Sequence, residues 1–263
     1  MVRTTEDLRT ATFEGEVAGP GSTFVPGQIL GERYRIESVL GRGGMGEVWQ
    51  AYDLKLRVDV ALKALLRDSS SDEASFELMR REVRSAREVI SPNVCRIFDL
   101  VEVDGHELVS MEYVDGETLL SLLRSRGPLE PREAGKIAAQ FLAGLEAIHQ
   151  AGLVHRDVKP ENIMITRAGR VVLMDFGIAT RKADGVSGLR VGTPAYMSPE
   201  QARGEPVDAR TDVYAAGLVL AELTCAEGLS DDSTRQTLWK ALRHDPPAIP
   251  EGPWRRIVTR AVA

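Results

Sequence analysis

The chain has 263 residues, of which 43% are hydrophobic. This length and composition allow a substantial core, either in one domain with two lobes or in two small domains. Its 39 acidic residues exceed its 33 basic ones, for a net charge of -6. The balance argues against a nucleic-acid-binding protein, since such proteins use basic residues to neutralise phosphates.

The two cysteines, Cys95 and Cys225, form no Cys-x-x-Cys motif. We expect two core thiols in a reducing compartment rather than a disulfide framework or a zinc site. No stretch reaches the roughly 18 apolar residues that suggest a transmembrane helix, and the N-terminus has no signal-peptide pattern. These features predict a cytoplasmic segment that does not enter a membrane.

Residues 1–32 mix Thr, Glu, Gly and Pro with few apolar residues and no sustained period. This composition is typical of a disordered tail, which we predict for the whole of this segment. The simpler interpretation of the tail is a solvated leader. The alternative is that a phosphothreonine-binding partner reads autophosphorylated Thr4, Thr5, Thr10 and Thr12.

Short segments rich in Val, Leu and aromatic residues begin at Tyr34. They predict strands over residues 34–40, 47–52, 58–66, 94–101 and 108–113. Between the third and fourth strands, apolar residues recur at spacings of three and four up to Ser91-Pro92, which predicts one helix. Beyond Asp115-Gly116 the helical pattern dominates, with predicted helices over residues 118–126, 132–150, 213–223 and 254–262. The third of these is apolar on nearly every side, so we expect it at the centre of a lobe.

A segment with the sequence His-Arg-Asp-Val-Lys-Pro-Glu-Asn begins at His155, and Asp175-Phe176-Gly177 follows it. Asp157 supplies a carboxylate that can accept a hydroxyl proton. Asn162 and Asp175 supply hard oxygen ligands that suit magnesium. The combination indicates phosphoryl transfer.

A glycine-rich segment, Gly41-Arg42-Gly43-Gly44-Met45-Gly46, lies between the first two predicted strands. Glycines let backbone N–H groups approach phosphates closely. A Gly-x-Gly-x-x-Gly pattern also opens dinucleotide-binding folds, but there its last glycine begins a helix. Here a strand follows, so we favour a nucleoside triphosphate over a dinucleotide.

Lys63 ends the motif Val60-Ala61-Leu62-Lys63, in which Ala61 and Lys63 share one face of a strand. Alone, such a lysine is more often a solvated surface residue. None of the four histidines has the spacing of metal ligands, so we assign structural roles to His106, His149, His155 and His244.

With Gly192-Thr193-Pro194-Ala195-Tyr196-Met197-Ser198-Pro199-Glu200, these motifs resemble a protein kinase catalytic domain over residues 33–263. They are most similar to bacterial serine/threonine kinases of eukaryotic type. The resemblance implies an α+β, bilobal fold, with a small lobe over about 33–111, a hinge over 112–116 and a large lobe over 117–263. It also implies ATP, Mg²⁺ and protein substrates with Ser or Thr hydroxyls.

The resemblance assigns roles to individual residues. Asp157 is the base, Lys159 neutralises the transferred phosphate, and Thr193 bonds both of them. Lys63 holds the α- and β-phosphates and pairs with a helix glutamate, for which we choose Glu82 over Glu77 and Glu88. The implied nucleotide contacts are Leu40, Gly41, Gly43, Gly44, Gly46, Val48, Ala61, Lys63, Met111, the Glu112 carbonyl, the Val114 N–H and Met164.

Two regions depart from the family pattern. Relatives often carry two threonines near Ser187, so we hypothesise that Arg156 binds phosphorylated Ser187; a loop that needs no phosphate is the alternative. At the C-terminus, the last helix and an arginine that usually pairs with Glu200 do not follow. We expect either a truncated piece of a longer chain or substitution by Arg255, Arg256 or Arg260.

Two other functions fit some of these features. A pseudokinase would bind nucleotide and act as a scaffold, but every expected catalytic residue is present. A kinase of small molecules would not need the peptide-binding shelf that residues 192–200 imply.

Overall fold

The computed structural model describes residues 22–43, 46–65, 73–175, 194–224, 252 and 254–263. The small lobe contains a six-stranded antiparallel sheet in the order β1-β2-β3-β4-β6-β5. Its strands are β1 (Ile29–Leu30), β2 (Tyr34–Gly43), β3 (Gly46–Asp53), β4 (Val58–Ala64), β5 (Ile97–Val103) and β6 (His106–Glu112).

Strand β4 separates two apolar clusters. Val60 and Leu62 pack with Trp49 on one side of the sheet, whereas Ala61 joins Met111 in the other cluster. This alternation is the expected two-residue period of a strand. The helix described in the small lobe, α1 (Glu73–Arg87), contacts β5 and adds Val83 to the second cluster.

The N-terminal segment reaches further into the fold than we predicted. Phe24 is 1% exposed, and its ring lies edge-on to Trp49 and His106 at centroid distances of 5.9 and 5.0 Å. Strand β1 pairs with β2, so the predicted tail over residues 1–32 is wrong for residues 22–32. Residues 1–21, with their four threonines, lie outside the described residues.

The large lobe is mostly helical, as predicted. Its elements are β7 (Gly116–Thr118), α2 (Leu119–Arg126), α3 (Pro131–Gln150), β8 (Ile163–Thr166), β9 (Val171–Leu173), α4 (Pro199–Ala202), α5 (Ala209–Thr224) and α6 (Arg255–Ala261). Helix α5 is buried along most of its length and packs against α3 and α6. The α+β fold with two lobes is thus confirmed.

Backbone contacts join the lobes beside the hinge. Cys95 N donates to Leu173 O at 2.8 Å, and Leu173 N donates to Asn93 O at 2.9 Å. A Cβ on Gly116 would lie 2.3 Å from Ile165 O, so only glycine lets β7 approach β8 this closely. Within the described ranges, no helix is long and apolar enough to cross a membrane.

Candidate active site

A cavity of about 1040 Å³ lies between the lobes. Residues predicted from distant parts of the sequence meet on its walls. They are Leu40, Gly41, Gly46, Val48, Ala61, Lys63, Met111, Glu112, Val114, Asp157, Lys159, Asn162, Met164 and Asp175. Gly43 ends β2, while Gly44, Ser187 and Thr193 lie outside the described residues.

The hinge end of the cavity has the chemistry of an adenine site. Ala61 pairs in register with Met111, and both are buried. Among the described residues, the Val114 N–H donates to no other protein group, although Val114 is only 7% exposed and lines the cavity. A ligand acceptor in the cavity could bind this N–H.

At the opposite end, Asp157 is fixed by two neighbours in sequence. Lys159 Nζ lies 2.9 Å from Asp157 Oδ2, and Asn162 Nδ2 donates to the same oxygen at 2.8 Å. Asn162 Nδ2 also donates to the Asp157 carbonyl at 2.8 Å. Both donors bind Oδ2, and no described residue donates to Oδ1, which leaves that oxygen for a hydroxyl proton.

Asp212, at the start of α5, supports the catalytic loop, which is the segment from His155 to Asn162. Its carboxylate is fully buried and accepts from His155 N at 2.7 Å and from Arg156 N at 2.8 Å. His149 Nε2 lies 2.8 Å from the same carboxylate. Asp212 directly precedes the helix predicted over residues 213–223, but the sequence predicted no role for it. The available signal was an acidic residue at the start of an otherwise apolar, buried helix.

Burial lowers the pKa of His155, although Asp212, Asp157 and Asp175 oppose the effect. The imidazole is therefore neutral at physiological pH. His155 Nδ1 accepts from Asp157 N at 3.3 Å. This contact supports the structural role predicted for His155 rather than one in proton transfer.

The charged side chains around the expected phosphate site form other ion pairs than the one we predicted. Lys63, 4% exposed, has its Nζ 2.6 Å from Asp175 Oδ1. Glu82 Oε1 lies 3.6 Å from Arg156 Nη1. In this arrangement the expected Lys63–Glu82 pair is not formed, because Asp175 occupies the lysine and α1 directs Glu82 towards the catalytic loop.

Asn162 and Asp175 fit a magnesium site that is completed by phosphate and water. The NH₂ group of Asn162 binds Asp157, which leaves its Oδ1 for a cation. Asp175 has a second carboxylate oxygen besides the one that meets Lys63. No cluster of three His, Cys, Asp or Glu residues occurs in the described part of the chain, and magnesium shared with phosphates needs no such cluster.

Glu200 finds a partner other than the arginines we considered. It accepts from Thr211 Oγ1 at 2.6 Å. Burial disfavours its charge, but hydrogen bonds from Thr211, its own backbone N–H and Ser198 outweigh burial and lower the pKa of Glu200. Of the two alternatives, substitution by a C-terminal arginine is therefore wrong: in the described residues none of Arg255, Arg256 and Arg260 pairs with this carboxylate.

Comparison with known proteins identifies the family of the chain. The protein kinase domain family matches residues 34–255. The chain belongs to this family. It is 41% identical over 226 residues to the serine/threonine-protein kinase PknB of Mycobacterium leprae, covering 82% of this chain and 36% of the relative. It is 42% identical over 229 residues to PknB of Mycolicibacterium smegmatis, covering 83% and 37%.

A solved structure agrees with the fold of this kinase-family chain. The PknI kinase domain of Mycobacterium tuberculosis, crystallised as a mutant, superposes with a TM-score of 0.65 at 27% identity. The match covers 90% of this chain and 97% of that domain. The chain spans little more than a third of the length of the PknB relatives, at 36% and 37%.

Proposed function

We propose that this chain transfers the γ-phosphoryl group of ATP to Ser or Thr hydroxyls of proteins, in a cytoplasmic setting. The observation that carries the proposal is the convergence of Lys63, Asp157, Asn162 and Asp175 on one cleft. The similarity to kinases named for serine and threonine supports this choice of acceptor.

Each residue of the cleft has a role that follows from its position. Asp157 Oδ1 accepts the hydroxyl proton while Lys159 stabilises the charge of the transferred group. Lys63 binds phosphate oxygens, and Glu82 orients Lys63 once α1 moves towards it. Asn162 and Asp175 would hold magnesium, which when bound neutralises phosphate charge. Backbone groups of Glu112 and Val114 fix the adenine ring.

Further parts of the proposal concern residues outside the described ranges. Thr193 bonds Asp157 and Lys159, and Gly44 covers phosphates. Phosphorylated Ser187 is held by Arg156. Autophosphorylated threonines of the N-terminal segment recruit a phosphothreonine-binding partner.

Labelled ATP, magnesium and a generic basic protein test the activity directly. The unaltered chain should label the protein, and Asp157→Asn should lower the rate at least about a hundredfold through loss of the base. Nucleotide binding without transfer, in repeated preparations of the unaltered chain, would instead indicate a scaffold. Phosphoamino-acid analysis of the product should show phosphoserine or phosphothreonine.

A further inference from the structure

Gln201 joins the shelf helix α4 to the catalytic loop. Its Nε2 donates to the Arg156 carbonyl at 2.8 Å. Its Oε1 accepts from Ser198 N at 3.1 Å, while Gln201 N donates to Ser198 Oγ at 3.4 Å. This reciprocal capping box fixes the glutamine side chain, so its amide NH₂ is aimed at the loop.

The residue that Gln201 contacts has an unusual backbone. Arg156 has a φ of +69°, in the left-handed region that side chains other than glycine seldom adopt. Asp212 accepts from the N–H of Arg156 at 2.8 Å, and Gln201 donates to its carbonyl. These two hydrogen bonds fix the peptide groups on both sides of Arg156. The second of these peptide groups joins Arg156 to Asp157.

We propose that Gln201 is a positioning residue that couples the peptide-binding shelf to Asp157. The inference rests on the proposed kinase function and extends it to a residue with no contact to the reacting atoms. Without the Gln201 donor, the Arg156–Asp157 peptide can rotate more freely, because its carbonyl loses the donor at 2.8 Å and its N–H keeps only the longer bond to His155 Nδ1 at 3.3 Å. A rotation there displaces the Asp157 carboxylate relative to the acceptor hydroxyl.

The substitution Gln201→Glu isolates this contact. Glutamate retains the acceptor that completes the capping box with Ser198, but it removes the donor and places an oxygen opposite the Arg156 carbonyl. Gln140→Glu is the matched control, since Gln140 Oε1 accepts from Val171 N at 3.1 Å and its Nε2 donates to the Gly169 carbonyl at 3.1 Å. That control loses the same kind of bond at a different loop.

We expect Gln201→Glu to lower kcat about 10- to 100-fold, as misplacement of a catalytic group does. The KM for ATP should change less than about threefold, since the adenine contacts are untouched. Gln140→Glu should leave kcat within about twofold, as a change away from the reacting groups does. Gln201→Met, which removes the donor without adding charge, should lower kcat in the same direction.

Hydrogen–deuterium exchange gives a second readout that needs no catalysis. The amides of residues 154–159 should exchange faster in Gln201→Glu than in the unaltered chain or in Gln140→Glu. Unchanged kcat and unchanged exchange would overturn the proposal, as would equal losses of kcat in the two glutamate variants. If the unaltered chain transfers no phosphate, the proposed function fails, whereas exchange still decides the coupling between Gln201 and the loop.

Discussion

The charged side chains on the two sides of the cleft differ in where their binding partners lie. On the large-lobe side, Asp157 is bound by Lys159 and Asn162, which are close to it in sequence. On the small-lobe side, Lys63 and Glu82 both reach across the cleft, to Asp175 and Arg156. The acceptor end of the site is therefore set by the folding of one lobe. The phosphate end depends on how the lobes and α1 are placed, which small energies can change.

Replacing Asp212 should have the largest effect, because it removes the buried support of the large-lobe side. Asp212→Ala leaves a buried N–H of His155 and a partly buried N–H of Arg156 without their acceptor and should lower the free energy of unfolding by about 3–5 kcal/mol. Urea denaturation measures the loss. Asp208→Ala, at an exposed carboxylate paired with Arg210, should cost less than about 1 kcal/mol. Equal losses would show that the buried support is unimportant.

The small lobe should respond strongly to loss of Phe24. Phe24→Ala leaves a cavity against Trp49 and His106, and we expect a loss of about 3 kcal/mol in the free energy of unfolding. Val25→Ala, at a neighbouring side chain that is 57% exposed, should stay within about 0.5 kcal/mol. If Phe24→Ala behaves like Val25→Ala, the N-terminal segment does not stabilise this lobe.

Glu82→Gln tests whether the small-lobe charges change partners during turnover. If Glu82 leaves Arg156 for Lys63 when nucleotide binds, the variant should lose about 10- to 100-fold in kcat/KM, or about 1.4–2.7 kcal/mol of transition-state stabilisation. Steady-state kinetics with varied ATP checks this. Glu88→Gln should retain activity near that of the unaltered chain. A fully active Glu82→Gln would mean that the pair with Lys63 is not needed.

Acidification should weaken the large lobe by a smaller amount through His155. Its pKa is below the ordinary value of 6.5, so in the window below pH 6.5 the unfolded chain binds more protons than the folded chain. The free energy of unfolding should therefore fall as the pH drops below 6.5. Above pH 6.5 the titration of His155 should cause no further change in it. Denaturation curves at several pH values should show a shallower pH dependence for His155→Tyr. An identical dependence would exclude His155 as the cause.

Local sequence predicts contacts between neighbours better than contacts across the fold. Periodicity predicted the individual strands and helices, and the resemblance to protein kinases implied the two-lobed fold. The catalytic loop around Asp157 is a short segment whose residue types alone indicate its chemistry. Phe24 and β1 escaped prediction because a single aromatic residue and a two-residue strand among Gly and Pro have no measurable period. Asp212 and Gln201 escaped because each binds backbone groups far away in the chain, and any residue type can present those groups.

The partners of Lys63 could not have been predicted from sequence. Its motif identifies a lysine facing the cleft, and the structure places it there. Asp175 and Glu82 are both acidic; Asp175 pairs with Lys63 in this structure, and Glu82 lies on α1. Which carboxylate binds the lysine depends on the positions of whole elements, and the composition of the motif carries no information about these.

The hinge has a mechanical consequence. Strand β6 ends at Glu112 and β7 begins at Gly116, so residues 113–115 alone lie between two hydrogen-bonded strands. The side chain of Glu112 also binds Arg170 in the large lobe, which fixes the upper end of this link. Any swing of one lobe over the other must turn these three residues, of which Val114 is the middle one, and must also strain the hydrogen bonds of Leu173 with Asn93 and Cys95 beside them. An adenine bound to its N–H would stiffen the pivot itself, so nucleotide occupancy would set the range of lobe opening.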